Sequence, residues 1–268
     1  MKAIIIAGGL GTRLYKYTKD VPKGMLTVLG KSLLQHQVDC FRNCGISNIV
    51  IVRKHLADKI SIKCVRYIDE DPASEGNMVR GLFHARGEFD DDIIMTYGDI
   101  IFEDKVIREV IDAPCGVGCV VDLNWRDYWI ARSGSDTEDT ESLVLEGKKI
   151  ISLGVPNPEP EKIDGRYVGI VKFSKSAFSQ VEAIFDRQKK LFWDKEVKWY
   201  QSKNFKKAYM TDFLQCLIDN AVAIEAIPTS HGWLEFDTNE DYERVAKWAE
   251  EGTLHRFYGL SNDSSSPL

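Results

Sequence analysis

Apolar positions follow two rhythms along this chain. Residues 2–7, 48–52, 92–97 and 116–123 are short, nearly unbroken apolar runs, which predict strands buried on both faces. Residues 62–68 read as a further, more exposed strand. Between the runs the period lengthens. Within 32–44, Leu33, Leu34, Gln37, Val38 and Phe41 fall on one face of a helix that Gly45 ends. Residues 76–86 and 106–111 are also helical. This alternation predicts an α/β fold, a mixed, mainly parallel sheet flanked by helices. The second half is less regular. Strands are expected over 167–173 and 223–228, and helices over 177–189, 210–219 and 240–250. The acidic stretch 136–141 and the proline-rich stretch 155–161 read as loops. The last ten residues, GLSNDSSSPL, are small, polar and aperiodic. One domain is therefore expected over 1–258, followed by a disordered tail or linker at 259–268.

Composition narrows the function classes. The chain carries 35 Lys and Arg against 41 Asp and Glu, a net charge of −6, with no segment rich in cations, so no nucleic-acid partner is expected. The apolar opening is too short for a signal-peptide core, and no run approaches the ~18 apolar residues of a membrane span. A soluble, cytoplasmic protein is expected. Six cysteines (40, 44, 64, 115, 119 and 216) lie in apolar contexts. Neither C-x-x-x-C pair has a histidine or third cysteine at ligand spacing, so all six read as buried thiols. The five histidines show no catalytic spacing and read as structural.

The chemistry sits in the first 23 residues, where a strand runs into Ala7-Gly8-Gly9-Leu10-Gly11-Thr12-Arg13. A dinucleotide fingerprint fails because its third glycine falls on Leu14. A P-loop ending at Gly30-Lys31-Ser32 fails because its first glycine falls on Met25. What remains still suits a triphosphate. Gly8, Gly9 and Gly11 admit phosphate to the backbone N–H groups, Arg13 can fork onto phosphate oxygens, and Pro22 stiffens the approach of Lys23. The plainer alternative is a turn with two surface cations. Two aspartates offer a cation site. Asp99 ends an apolar strand, at the edge where α/β proteins bind ligands. Asp237 precedes a helix and either caps it or, if Thr238 caps it, stays free.

AGGLGTRL (7–14) followed by TKDVPK (18–23) resembles the signature of the nucleotidyltransferases that activate sugar phosphates and phosphocholine. The resemblance runs to about residue 250. It implies a Rossmann-like fold and a nucleotide site built from Ala7, Gly8, Gly9, Gly11, Thr12, Arg13, Lys23 and Gly76. Arg13 and Lys23 would lie on the phosphates, and Mg²⁺ on Asp99 and Asp237. The reaction implied is in-line attack by an anionic oxygen on the α-phosphorus with loss of pyrophosphate. The attacking oxygen is already charged, so no general base is required.

SEGNMVRGL (74–82), VVDLNWRDYWIAR (120–132), GRYVGIVKFS (165–174) and KAYMTDFLQ (207–215) resemble the phosphonate and phosphocholine cytidylyltransferases. On that resemblance the substrates are CTP and a phosphonate, with 2-aminoethylphosphonate first and phosphocholine second. Candidate acceptor residues are Asn77, Tyr128, Trp129, Lys172, Asp212 and Glu235, by cation–π contact or ion pairing. Each also has a plain reading as core, rim or edge packing. Branch members can be fused to another pathway enzyme, a partner the tail would lead to. A sugar-1-phosphate nucleotidyltransferase is the competing enzyme reading, and a non-catalytic nucleotide-binding regulator the competing reading of another class.

Overall fold

The computed structural model describes residues 1–259. Its centre is a mixed sheet of nine strands: β1 (Lys2–Ala7), β2 (Ile49–Arg53), β3 (Arg66–Asp69), β4 (Ile93–Tyr97), β5 (Val117–Asp122), β6 (Glu141–Glu146), β7 (Lys149–Pro156), β8 (Arg166–Phe173) and β9 (Ile224–Thr229). Their order across the sheet is β3-β2-β1-β4-β8-β5-β9-β7-β6. β1, β2, β3 and β4 form a parallel half. β8 is inserted antiparallel between β4 and β5, β9 runs parallel to β5, and β7 and β6 close the far edge as an antiparallel pair.

Both faces are covered, which explains the continuous apolar strands. On β1, Ala3 and Ile5 pack into one core with the helices Leu33–Asn43, Asp104–Asp112 and Trp125–Ser133, while Ile4 and Ile6 pack into the other with Met78–His84, Phe178–Phe192 and Met210–Asp219. Ser32 caps its helix by accepting from Gln35 N–H (3.2 Å), and Gly45 follows in the left-handed region at φ 82°.

Several expectations need correction. The third strand occupies 66–69, not 62–68. Residues 125–133, beyond the strand expected at 116–123, form a helix whose Trp125, Tyr128 and Trp129 are buried. Both supposed loops adjoin strands, since β6 begins at Glu141 and β7 runs to Pro156. The thiols are not uniformly buried: Cys64 is exposed and Cys44 half-buried, and Asp104 brings a carboxylate within 4.8 Å of the Cys40 and Cys44 sulfurs. Of the expected tail, only Gly259 is described, its N–H donating to Glu103 Oε1 (2.7 Å); residues 260–268 lie outside the described residues. Among the described residues no helix is long and apolar enough to cross a membrane.

Candidate active site

The parallel half builds the site. β1 and β4 are neighbours running the same way, so Gly8 and Gly98 emerge at one edge of the sheet. Gly98 N–H donates to Ile6 O (2.9 Å), and a Cβ on Gly98 would lie 2.9 Å from Ala7 Cα. Glycine therefore lets the Asp99 turn press against the loop after β1. That turn is also held from behind. Gln37, fully buried, donates to Tyr97 O (2.8 Å) and Ile100 O (2.7 Å) and accepts from Thr96 Oγ1 (2.8 Å). The glycine loop is closed by Gly11 at φ 62° and by Thr18 Oγ1, which donates to Gly11 O (2.8 Å).

A two-stranded ribbon brings Asp237 from the far end of the chain. Trp233–Glu235 pairs antiparallel with Ile100–Phe102, and Phe236 N–H donates to Asp99 O (3.0 Å). The cap ambiguity is resolved. Thr238 and Asp241 form a reciprocal capping box, so Asp237 is free to face the cleft. Lys23 Nζ bridges Asp99 Oδ2 (2.7 Å) and Asp237 Oδ1 (2.6 Å), and Arg13 reaches Asp237 Oδ2 at 3.2 Å. Burial works against the Lys23 charge, but Asp99 and Asp237 outweigh it and hold the ammonium above the ordinary lysine range. Burial likewise works against ionised Asp237, and Lys23, with Arg13, holds its carboxyl well below the usual range. Asp99 Oδ1 is buried with no hydrogen-bond partner. An orphaned carboxylate oxygen beside a second carboxylate is a donor set that fits a hard divalent cation.

Two cavities meet at this point. The larger, about 550 Å³, runs from the glycine loop, Lys23 and Asp99 past Gly76 and Asn77 to Val52, Glu70 and Gly81. The second, about 430 Å³, shares Gly11, Thr12, Lys23, Asn77 and Asp99 with the first and extends over Arg13, Asp237, Glu235, Glu141, Arg166, Tyr97 and Tyr167. Ala7, Gly8, Gly9, Gly11, Thr12, Arg13, Lys23, Gly76, Asn77, Asp99, Glu235 and Asp237 thus line one continuous cleft.

Four acceptor candidates lie elsewhere. Tyr128 is 1% exposed and its hydroxyl accepts from Glu235 N–H (3.0 Å). Trp129 is fully buried; its indole donates to Glu138 O (2.9 Å), and the guanidinium groups of Arg132 and Arg166 lie 4.4 and 3.7 Å from its ring centre. Lys172 pairs in register with Ile94, near the start of β4 and away from Asp99, and spends its ammonium on Ile111 O (3.0 Å) and Ala113 O (2.6 Å) at a helix end. Asp212 is 2% exposed and serves as a cap, accepting from Gln201 N–H (2.8 Å), Tyr209 N–H (3.3 Å) and Ser202 Oγ. Glu235 does face the cavity, but it is paired with Arg132 (2.9 Å), which also forks onto Asp241 (2.7 and 2.8 Å). Burial raises its carboxyl against the pull of Arg132, and Asp237 adds to the rise.

Sequence reasoning missed Glu141, Arg166, Tyr97 and Tyr167, which line the second cavity beyond Lys23 and Asp99. Arg166 and Tyr167 lay in a stretch read for Lys172. Their only sequence signal is a cation and an aromatic at the start of a strand, which is too common to single out.

A glycine loop, two cations and two facing aspartates on a doubly covered α/β sheet define a nucleotidyltransferase. The chain belongs to the family of the MobA-like NTP transferase domain, whose model matches residues 3–191. It is 31% identical over 254 residues to the CTP:phosphoglutamine cytidylyltransferase of Campylobacter jejuni, covering 91% of this chain and 98% of that one. It is 28% identical over 123 residues to the CMP-5′-(3-aminopropyl)phosphonate synthase of Streptomyces rubellomurinus, covering 42% of this chain and 19% of that protein. Sugar-1-phosphate nucleotidylyltransferases are also among its relatives. Its fold matches the CTP:phosphocholine cytidylyltransferase of Streptococcus pneumoniae with a TM-score of 0.71 at 18% identity, covering 92% and 98% of the two chains.

Proposed function

We propose that this protein is a CTP-dependent cytidylyltransferase that joins CMP to a small amine-bearing phosphonate or phosphate ester, with 2-aminoethylphosphonate first and phosphocholine second. One observation carries the reading: the larger cavity, beside the glycine loop, and a second, carboxylate-bearing cavity meet at Lys23 and Asp99. A triphosphate laid along the glycine loop brings its α-phosphorus to that junction. Arg13 and Lys23 then spread positive charge over the phosphates, Lys23 exchanging its aspartates for phosphate oxygens. Asp99 and Asp237 would hold Mg²⁺, which would supply further charge neutralisation on the phosphates. The acceptor oxygen enters from the second cavity already anionic, so positioning replaces a general base. Glu141 and Glu235 suit the acceptor's ammonium and Tyr97 and Tyr167 its alkyl stem.

A second acceptor reading comes from Arg166, which adds a cation to that carboxylate-bearing cavity. The pair Arg166 and Glu141 suits a zwitterion, ammonium on one and carboxylate on the other, as an amino-acid acceptor such as phosphoglutamine requires. The test is pyrophosphate release with CTP, UTP, ATP and GTP against 2-aminoethylphosphonate, phosphocholine, phosphoglutamine and glucose 1-phosphate, with Mg²⁺. The amine-bearing acceptors should lead. Equal or better turnover of glucose 1-phosphate would reject them in favour of a sugar-1-phosphate enzyme. Absence of pyrophosphate with every pair would favour the non-catalytic regulator.

A further inference from the structure

We infer that Glu70 selects the base, its buried carboxylate accepting a hydrogen bond from the exocyclic amino group of cytosine. The inference rests on the cytidylyl reading above and deepens it. Glu70 follows β3 directly, and its N–H donates to Arg53 O (2.8 Å), which ties the residue to the sheet. Its side chain is 7% exposed and lines the larger cavity, yet Oε1 is sealed from solvent without any hydrogen-bond partner. Lys54, on the same cavity wall, spends its ammonium on Ser74 O instead. A buried acceptor left open in this way is costly unless a ligand completes it.

The place is right for a base. One end of the cavity is the glycine loop with Lys23 and Asp99, where phosphates belong. Away from that junction the cavity is walled by Ile6, Val52 and Pro72, apolar surfaces suited to the faces of a flat ring. Gly81 leaves the room: a Cβ there would lie 3.0 Å from Ile6 Cγ2 and 3.5 Å from Glu70 Oε1. Glu70 therefore stands at the edge of the slot, its open oxygen beside the space that Gly81 leaves. Cytosine presents an N–H₂ donor at C4, whereas uracil and thymine present an oxygen whose lone pairs face the carboxylate. An open carboxylate both rewards the first and repels the second, and sites of this kind discriminate strongly.

Glu70→Gln keeps the shape and removes the sign, because a rotated amide offers N–H to uracil O4 as readily as oxygen to cytosine N4. The experiment is kcat/KM for CTP and UTP in the parent enzyme and in E70Q, with the best acceptor and Mg²⁺ saturating. The parent should strongly prefer CTP. In E70Q the CTP:UTP ratio should fall by roughly 10- to 100-fold, through gain on UTP as well as loss on CTP. Thermal unfolding of ligand-free E70Q should be no lower than that of the parent, since an uncompensated buried charge has gone. If the parent prefers CTP and E70Q keeps the same ratio, the assignment of Glu70 fails while the cytidylyl reading stands. If the parent prefers another nucleotide, the cytidylyl reading fails and the inference with it.

Discussion

Replacing Lys23 by methionine isolates the charge balance at the centre of the site. Methionine keeps much of the stem and removes the ammonium. Asp99 Oδ2 and Asp237 Oδ1 each lie within 2.7 Å of Nζ, and their side chains are only 17% and 15% exposed. The two oxygens are thus at most about 5 Å apart, where like charges at an effective dielectric near 20 repel by ~3 kcal/mol. That agrees with the roughly 3–5 kcal/mol lost when one partner of a buried pair is removed. Lys23→Met should lower the unfolding free energy by about 3 kcal/mol at pH 7.5 in chelator, or drop Tm by roughly 6–12 °C for a chain of this size. The pH dependence fixes the sign. Asp237 is held below its unfolded value, so it contributes stability above the ordinary aspartate range and loses it as pH falls through the folded value. The substitution removes that contribution, so the two stability curves should stay apart down to about pH 4 and converge only as pH falls below it toward the folded value of Asp237. Millimolar Mg²⁺ should stabilise the variant more than the parent. Urea denaturation measures all three. Equal stability at pH 7.5, or a gap that widens on acidification, would refute the claim that Lys23 balances these aspartates.

Asp99→Asn should lower kcat/KM by about 10²–10³ in a pyrophosphate-release assay, with an unchanged far-UV circular dichroism spectrum. Lys172→Met and Asp212→Ala should each cost ~1–2 kcal/mol of stability through lost caps, while leaving KM for the acceptor as in the parent. Because burial raises the carboxyls of both Glu141 and Glu235, KM for an amine-bearing acceptor should fall as pH rises from 6 to 8.5, whereas an acceptor without an amine should show no such trend.

The glycine-loop end of the cleft was legible because its signals are local. Six consecutive residues of β1, the glycines after it and the proline before Lys23 each state a backbone requirement that sequence displays directly. Asp99 was legible for the same reason, standing at the end of an apolar run. Asp237 needed one further inference, that Thr238 takes the cap, and the capping box bears this out. The second cavity was not legible because its signals are tertiary. Trp129 and Tyr128 look like a ligand cage in sequence, but their helix turns them into the core, where two arginines cover Trp129. Asp212 in the first turn of a helix is equally a cap and a ligand on paper. Only Ser202 and Gln201, brought back from an upstream loop, decide for the cap.

The same contrast bears on the proposed acceptor site. Arg166 and Tyr167 reach the second cavity because β8 is irregular. Its register against β5 shifts between Tyr167 and Val171, and Gly169 sits inside the shift at φ 82°. A Cβ on Gly169 would lie 2.8 Å from the Tyr97 ring, so the bulge and the packing of Tyr97 against Tyr167 depend on each other. A bulge re-aims side chains without touching the strands beyond it, and β8 carries none of the glycine loop, Lys23 or the two aspartates. Changes at 166–169 should therefore redirect the acceptor while the triphosphate site stays intact. On the proposed reading, the antiparallel insertion would tune the acceptor, and the glycine loop, Lys23 and the two aspartates would carry the reaction.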